Sequence, residues 1–217
     1  MEIDLVSHEG GSSRGKFCFT LTVTDISTGW TVNRSALNKA QKHVFAALKH
    51  VMKVFPFPVI GIDSDNGSEF INQELLRFCQ EQQITFTRSR AGNKNDGAHV
   101  EQKNWSRVRE RVCYQRYDST EELELLNRIS ELDRIFTNDL LPQQKLVSKA
   151  RHEANLSKVH DRPPTPQQGA IVHPAVRKMP VTRMNAAFKK IRVMALSQQI
   201  LELTGSLEKL SVAKSGS

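Results

Sequence analysis

The chain has 217 residues, an ordinary apolar content of 38% and a net charge of +8. That length accommodates one sizeable core with a smaller appendage, and no apolar run approaches the roughly 18 residues of a membrane span. Met1 leads straight into Glu2-Ile3-Asp4-Leu5, so no secretory leader is expected, and Cys18, Cys79 and Cys113 are too scattered for a disulfide or zinc framework. They are expected as reduced core residues of a cytoplasmic protein.

Ile3-Asp4-Leu5-Val6 is a short apolar strand interrupted by one acid. Phe17, Phe19, Leu21 and Val23 alternate as in a half-buried antiparallel strand, and after a turn at Asp25–Gly29 a third strand starts at Trp30-Thr31-Val32. Leu37 to Val54 has helical spacing of Ala40, Val44, Ala47, Leu48 and Val51, and Pro56 and Pro58 stop it. The stretch from Val59 to Phe70 then reads as a buried strand (Val59, Ile60, Ile62) that breaks at once into Asp63-Ser64-Asp65-Asn66-Gly67. A helix over 69–81, a short strand at 84–87, a basic loop at 88–96 and a long helix over 98–114 follow. The order predicts an α/β protein with a five-stranded mixed sheet and helices on both faces.

Thr120 to Phe136 is a further amphipathic helix, opened by Asp118-Ser119-Thr120 and then Glu121 and Glu122. Residues 145–161 are basic and weakly patterned, and Arg162-Pro163-Pro164-Thr165-Pro166 reads as a linker. Ala186 to Leu203 is expected as a helix with Phe188, Ile191, Met194 and Leu201 near one face, and Val212–Ser217 as a disordered end. Residues 140–192 hold eleven Lys and Arg against Glu153 and Asp161 only, which suits a phosphate-binding surface or a solvated basic tail.

Three carboxylates stand out by position. Asp4 interrupts the first strand, Asp65 lies just past the fourth, and Glu101 sits in the first turns of the long helix. If the first and fourth strands are neighbours, Asp4 and Asp65 lie side by side and Glu101 reaches them from a helix end. Such a cluster is unfavourable unless cations neutralise it, and two hard divalent ions about 3.5–4 Å apart do so while supplying chemistry. Asp63 is the nearest rival of Asp65, and Asn66-Gly67 fits a tight turn that sets the angle of Asp65. Glu101 also reads as favourable charge at a helix N-terminus.

Asp4, the run Ser64-Asp65-Asn66-Gly67-Ser68-Glu69-Phe70, and Glu101 resemble the catalytic core of the integrase and DDE transposase superfamily. Thr87-Arg88-Ser89-Arg90 and Asn95-Asp96-Gly97-Ala98-His99-Val100-Glu101-Gln102-Lys103-Asn104-Trp105 are similar to integrase-type transposases of bacterial insertion sequences. Lys145-Leu146-Val147-Ser148-Lys149 and Pro163-Pro164-Thr165-Pro166 resemble the basic segment that such transposases carry after the core. The resemblance implies an RNase H-like fold and two Mg2+ or Mn2+ ions on Asp4, Asp65 and Glu101. It further implies nicking of transposon ends, strand transfer into target DNA, action as a homo-oligomer, and a bacterial, nucleoid-associated protein without a small-molecule substrate. Only three residues precede Asp4, where such transposases carry a helix-turn-helix region, so the sequence is expected to be either a truncation or a product that begins internally and depends on something else for end recognition.

The division expected is a catalytic core over 1–138, a basic segment and Pro-rich linker over 139–168, and a partly helical tail over 169–217. Lys103, Arg107 and Arg111 recur every four residues and offer a face for a DNA backbone or for solvent. Arg88, Arg90 and Lys94 in the loop, and Lys145 and Lys149 after the core, are further DNA-contact candidates. Trp105 suits core packing better than base stacking, and His99 lacks a second ligand for zinc. Two alternatives stay open: a nuclease that only hydrolyses, and a DNA-binding remnant without activity.

Overall fold

The computed structural model describes residues 1–65, 67, 69–70, 73–89, 97–144, 146–152, 155–160 and 162–215. Strands β1 (Glu2–Ser7), β2 (Phe19–Thr24) and β3 (Thr31–Ala36) form an antiparallel meander. Helix α1 (Gln41–Val54) carries the chain back to β4 (Gly61–Ser64), which pairs with β1 in parallel. Helix α2 (Gln73–Glu81) then leads to β5 (Thr85–Arg88), parallel to β4. The order β3-β2-β1-β4-β5 places the first strand at the centre of a five-stranded mixed sheet, as the element order predicts.

Alternation along β1 divides the interior in two. Ile3 and Leu5 face the layer of α1, where Val44, Phe45, Leu48 and Val51 pack on Leu21, Val23, Trp30 and Val32. Burial stabilises each such side chain by about 1.5–3 kcal/mol, so a charged residue at Leu48 would break this layer. Val6 faces the other way, onto Val108, Val112, Tyr117, Leu126 and Ile129. Glu2 and Asp4 share the side of Val6, which directs them to the helices that follow β5.

Those helices are α3 (Ala98–Lys103), a wide π-type segment Asn104–Arg109 that continues it, the closing turn α4 (Glu110–Val112), and α5 (Thr120–Ile135). The predicted start of α5 holds: Ser119 accepts from the Glu122 N–H, and the Glu122 side chain bonds back to the Ser119 N–H, a reciprocal capping box. A two-stranded hairpin, β6 (Leu146–His152) and β7 (Asn155–His160), precedes α6 (Pro166–Val172), α7 (Lys178–Phe188) and α8 (Val193–Ser215).

Several expectations need correction. Ile60 is 80% exposed and β4 starts only at Gly61, so the buried strand is shorter and later than its apolar residues suggest. Strand β2 is buried on both faces, and two of its three threonines pair their hydroxyls across the sheet: Thr20 with Ser35 at 2.8 Å and Thr24 with Thr31 at 3.1 Å. Leu146–His152 and Asn155–His160 pair as antiparallel strands, where the sequence showed only a weak pattern. The Pro-rich stretch is docked: Pro164 O accepts from the Gln143 N–H, Thr165 caps α6, and Pro166 is buried. The C-terminal helix runs to Ser215, and its buried face is Leu196, Ile200 and Leu207, whereas Met194 and Leu201 are exposed. Phe188 closes α7 before the break at 189–192, so it does not share a continuous face with them. Cys18 and Cys79 are buried as expected; Cys113, at a positive φ of 57° just past α4, is exposed.

Candidate active site

The register between β1 and β4 pairs Glu2 with Asp63 and Ile3 with Ser64. One step further along lie Asp4 and Asp65, on adjacent parallel strands whose axes are about 4.8 Å apart. Asp65 has just left the strand, and its Oδ1 accepts from the Gly67 N–H at 2.9 Å, a local turn that fixes the carboxylate. A Cβ at position 67 would stand 2.9 Å from that same oxygen, so a larger residue there would push the Asp65 carboxylate aside. Asp63 is engaged elsewhere, its Oδ1 accepting from the Thr87 hydroxyl at 2.6 Å.

Glu101 enters from α3, whose first residue follows Gly97 in the left-handed region at φ 86°. Glu2, Asp4, Asp63, Asp65 and Glu101 line one cavity of about 170 Å3, together with Ser64, Ser89 and Val100. The structure therefore brings the three predicted acids, carried by β1, the end of β4 and α3, to one place.

The electrostatics of this cavity are unfavourable. Burial pushes the Asp4 carboxyl above its ordinary range, and the charges of Asp65 and Glu101 add to that rise. The Leu5 N–H at 2.7 Å and the Asn104 amide at 2.6 Å act in the opposite direction, favouring the ionised form. As the side chains stand, no three His, Cys, Asp or Glu residues among those described are close enough to hold an ion. Asp65 and Glu101 are both exposed, and like charges without a counterion draw apart. The donor set is all carboxylate oxygen, which fits a hard divalent cation such as Mg2+ or Mn2+ and not a soft metal.

Two residues of the site were missed in the sequence. Glu2 is 6% exposed and its Oε2 accepts from the Val100 N–H at 2.9 Å. Asn104 reaches Asp4 from one turn beyond Glu101. Both signals were present, since Glu2 precedes Asp4 by two on one strand face and Asn104 follows Glu101 by three on one helix.

The cationic candidates divide. Arg111 Nε pairs with Asp133 at 2.6 Å, Arg107 is half-buried with Nη1 toward Thr137, and the Lys103 ammonium donates to Gln143. This row is turned into the fold against α5 and the segment after it, which corrects its reading as an open phosphate track. Arg88 is exposed at the end of β5, level with Ser64. Arg90, Lys94 and Lys145 lie outside the described residues, and Lys149 is in β6. His99 is exposed on α3. Trp105 is 55% exposed against Tyr114, not in the core, because the inward row is Val100, Asn104, Val108 and Val112 and leaves it one position off.

The family model that matches is the integrase core domain, over residues 1–94. Residues 1–94 belong to the integrase core domain family. Families of this core are typically polynucleotidyl transferases of DNA transposition and integration. Among curated proteins, the uncharacterized protein y4rM of Sinorhizobium fredii is 41% identical over 166 residues, which is 76% of this chain and 47% of that protein. The chain thus spans about half the length of the curated relative it matches. Among solved structures, the catalytic core domain of BIV integrase aligns with 13% identity and a TM-score of 0.48, over 65% of this chain and 86% of that one. The HTLV-2 integrase catalytic core domain in complex with magnesium gives 16% identity and 0.47 over the same shares. The simian T-cell lymphotropic virus intasome gives 15% and 0.47, over 65% and 49%. Among the described residues, no helix is long and apolar enough to cross a membrane.

Proposed function

We propose that the chain is the catalytic core of a transposase that nicks DNA ends and transfers the freed strand into target DNA. The observation that carries this reading is the gathering of Asp4, Asp65 and Glu101, from three separate elements, at one cavity in a fold of the integrase core family. These three side chains would hold two divalent ions, Mg2+ or Mn2+. When bound, the ions supply charge neutralisation and Lewis acidity at a phosphodiester.

The protein's own part is positioning. Asp65 is set by its turn onto Gly67, and Asp4 by the Leu5 N–H and the Asn104 amide. The carboxylates that would hold the ions are thereby kept in a fixed frame, and no covalent enzyme intermediate is required. Asp4 takes the more buried place, while Asp65 and Glu101 are open to a DNA backbone.

DNA contacts are assigned to Arg88 beside the cavity, to Arg90 and Lys94, and to the basic region after the core. Arg177, Lys178, Arg183, Lys189, Lys190 and Arg192 are all exposed, and no acid occurs between Asp161 and Glu202. In this reading residues 1–138 are the catalytic unit and 139–168 a basic connection. Residues 169–217 are an appendage whose Ala170, Met184 and Leu207 join the two cores of that unit. A pair of DNA ends would be held by a homo-oligomer.

The test uses a labelled duplex carrying one end of the DNA element that encodes the chain, incubated with a target plasmid and Mn2+ or Mg2+. The reading expects joined products that disappear in Asp65→Ala. Nicks without joining would establish the hydrolytic nuclease instead, and binding without products the inactive remnant.

A further inference from the structure

Glu2 is an acidic side chain buried beside four other acids, and its placement has a function that the integrase-type reaction does not by itself require. Its Oε2 accepts from the Val100 N–H at 2.9 Å, one of the first-turn donors of α3. Such donors have no partner within their own helix, so a carboxylate there satisfies an otherwise unmet group and is favoured by the helix dipole. Two residues further along the same face of β1, Asp4 Oδ2 accepts from the Asn104 amide at 2.6 Å.

The two contacts fit because the repeats fit. Residues two apart on a strand are about 6.6 Å apart, and residues four apart on a helix rise about 6 Å. Glu2 and Asp4 therefore match Val100 and Asn104 in the same direction along both elements. Glu101 sits next to the first tie and three residues before the second. Its backbone is fixed to the strand that carries Asp4, although neither contact touches Glu101 itself.

We infer that Glu2 and Asn104 are positioning residues that clasp the Glu101 helix to the Asp4 strand and so set the distance between two of the three acids. The inference rests on the reading of Asp4, Asp65 and Glu101 as a divalent-cation site. Glu2 is distinguished from Asp65 and Glu101 by burial: it is 6% exposed and engaged by a backbone N–H, while those two are open. Asn104 is suited to its place as a neutral donor. Among the described residues its buried Oδ1 has no hydrogen-bond partner, and the side chain is held by its amide contact to Asp4.

The clasp makes a prediction that separates positioning from ligation. A glutamine at position 2 keeps an oxygen that accepts from Val100 but gives up the charge that a ligand needs. The experiment measures Mn2+ affinity of the metal-free protein, from the resonance of free Mn2+, and amide exchange at Val100 by NMR. Glu2→Ala is expected to weaken Mn2+ binding about 10–100-fold and to speed exchange at Val100, and Asn104→Ala to weaken binding by a similar factor. Glu2→Gln is expected to restore most of both quantities.

If Glu2→Gln weakens Mn2+ binding as much as Glu2→Ala, Glu2 is a ligand and the clasp is refuted. Wild-type affinity and wild-type Val100 exchange in Glu2→Ala would refute it as well. Asp65→Ala is the separate control. Mn2+ binding that Asp65→Ala leaves unchanged would refute the cation site itself, and the positioning role with it.

Discussion

Two polar clusters lie near β1 and are built in opposite ways. Just past the end of the strand, the Arg116 guanidinium donates to the carbonyls of Glu9, Ser12, Arg14 and Lys16, and its Nε to Asp118 at 2.9 Å. Phe17 lies under its plane. Each of its donor nitrogens meets an acceptor, and the loop that it ties down is complete without any further partner. Midway along β1, in contrast, burial raises the Asp4 carboxyl, and the charges of Asp65 and Glu101 add to that rise. A cluster selected for stability resembles the first. In the proposed reading, a cluster of the second kind is kept for the ions that it would bind.

The largest effect expected from breaking this contrast is on activity. Asp65→Ala or Asp4→Ala should lower metal-dependent DNA joining roughly 10³-fold or more, measured as joined product per unit time. The same substitutions should leave the fold intact, as read from circular dichroism. Arg116→Ala should do the reverse: a loss of about 2 kcal/mol in urea denaturation, with Mn2+ affinity unchanged, since hydrogen bonds from a charged group are lost and no site acid is touched.

His8 lies between these extremes. Its Nε2 pairs with Thr20 at 2.7 Å, and burial, with the Arg109 charge, lowers its pKa from 6.5 to about 3. The folded protein therefore refuses a proton that the unfolded chain accepts below pH 6.5, so stability falls as pH drops from 6.5 toward 3. Between pH 7 and 5 this amounts to about 2 kcal/mol. Urea denaturation at the two pH values should show that loss in wild type and a correspondingly smaller one in His8→Gln. The smallest effect is expected at Thr87, whose hydroxyl holds Asp63. Thr87→Val should cost about 1 kcal/mol or less and leave DNA joining unchanged, in keeping with a structural role for Asp63.

The sheet was legible because strand periods and turn residues are local signals, and the three acids because a family pattern fixes their spacing. What remained unread depends on partners distant in sequence. Nothing local to Glu2 says that Val100 will come to it, and Trp105 looks like core until the row through Asn104 is known. The face of α8 was misread for a similar reason. Apolar residues at Phe188, Met194 and Leu201 suggested one stripe, but the break at 189–192 separates Phe188 from the helix, and packing against α5 selects Leu207 instead. The Lys103–Arg107–Arg111 row was identified correctly as one face. Its charge suggested solvent or DNA, whereas Asp133 and Thr137 were waiting on α5 and beyond.

The central claim is that the acidic cavity is made for divalent cations. Thermal denaturation of wild type and Asp65→Asn, each with and without Mn2+, tests it most directly. Wild type should gain about 2.7 kcal/mol at a Mn2+ concentration 100 times the dissociation constant. Asp65→Asn keeps an oxygen for the Gly67 N–H and relieves the repulsion on Asp4, so without metal it should melt at or above wild type, and Mn2+ should leave it unmoved. Equal gains in the two proteins would contradict the account.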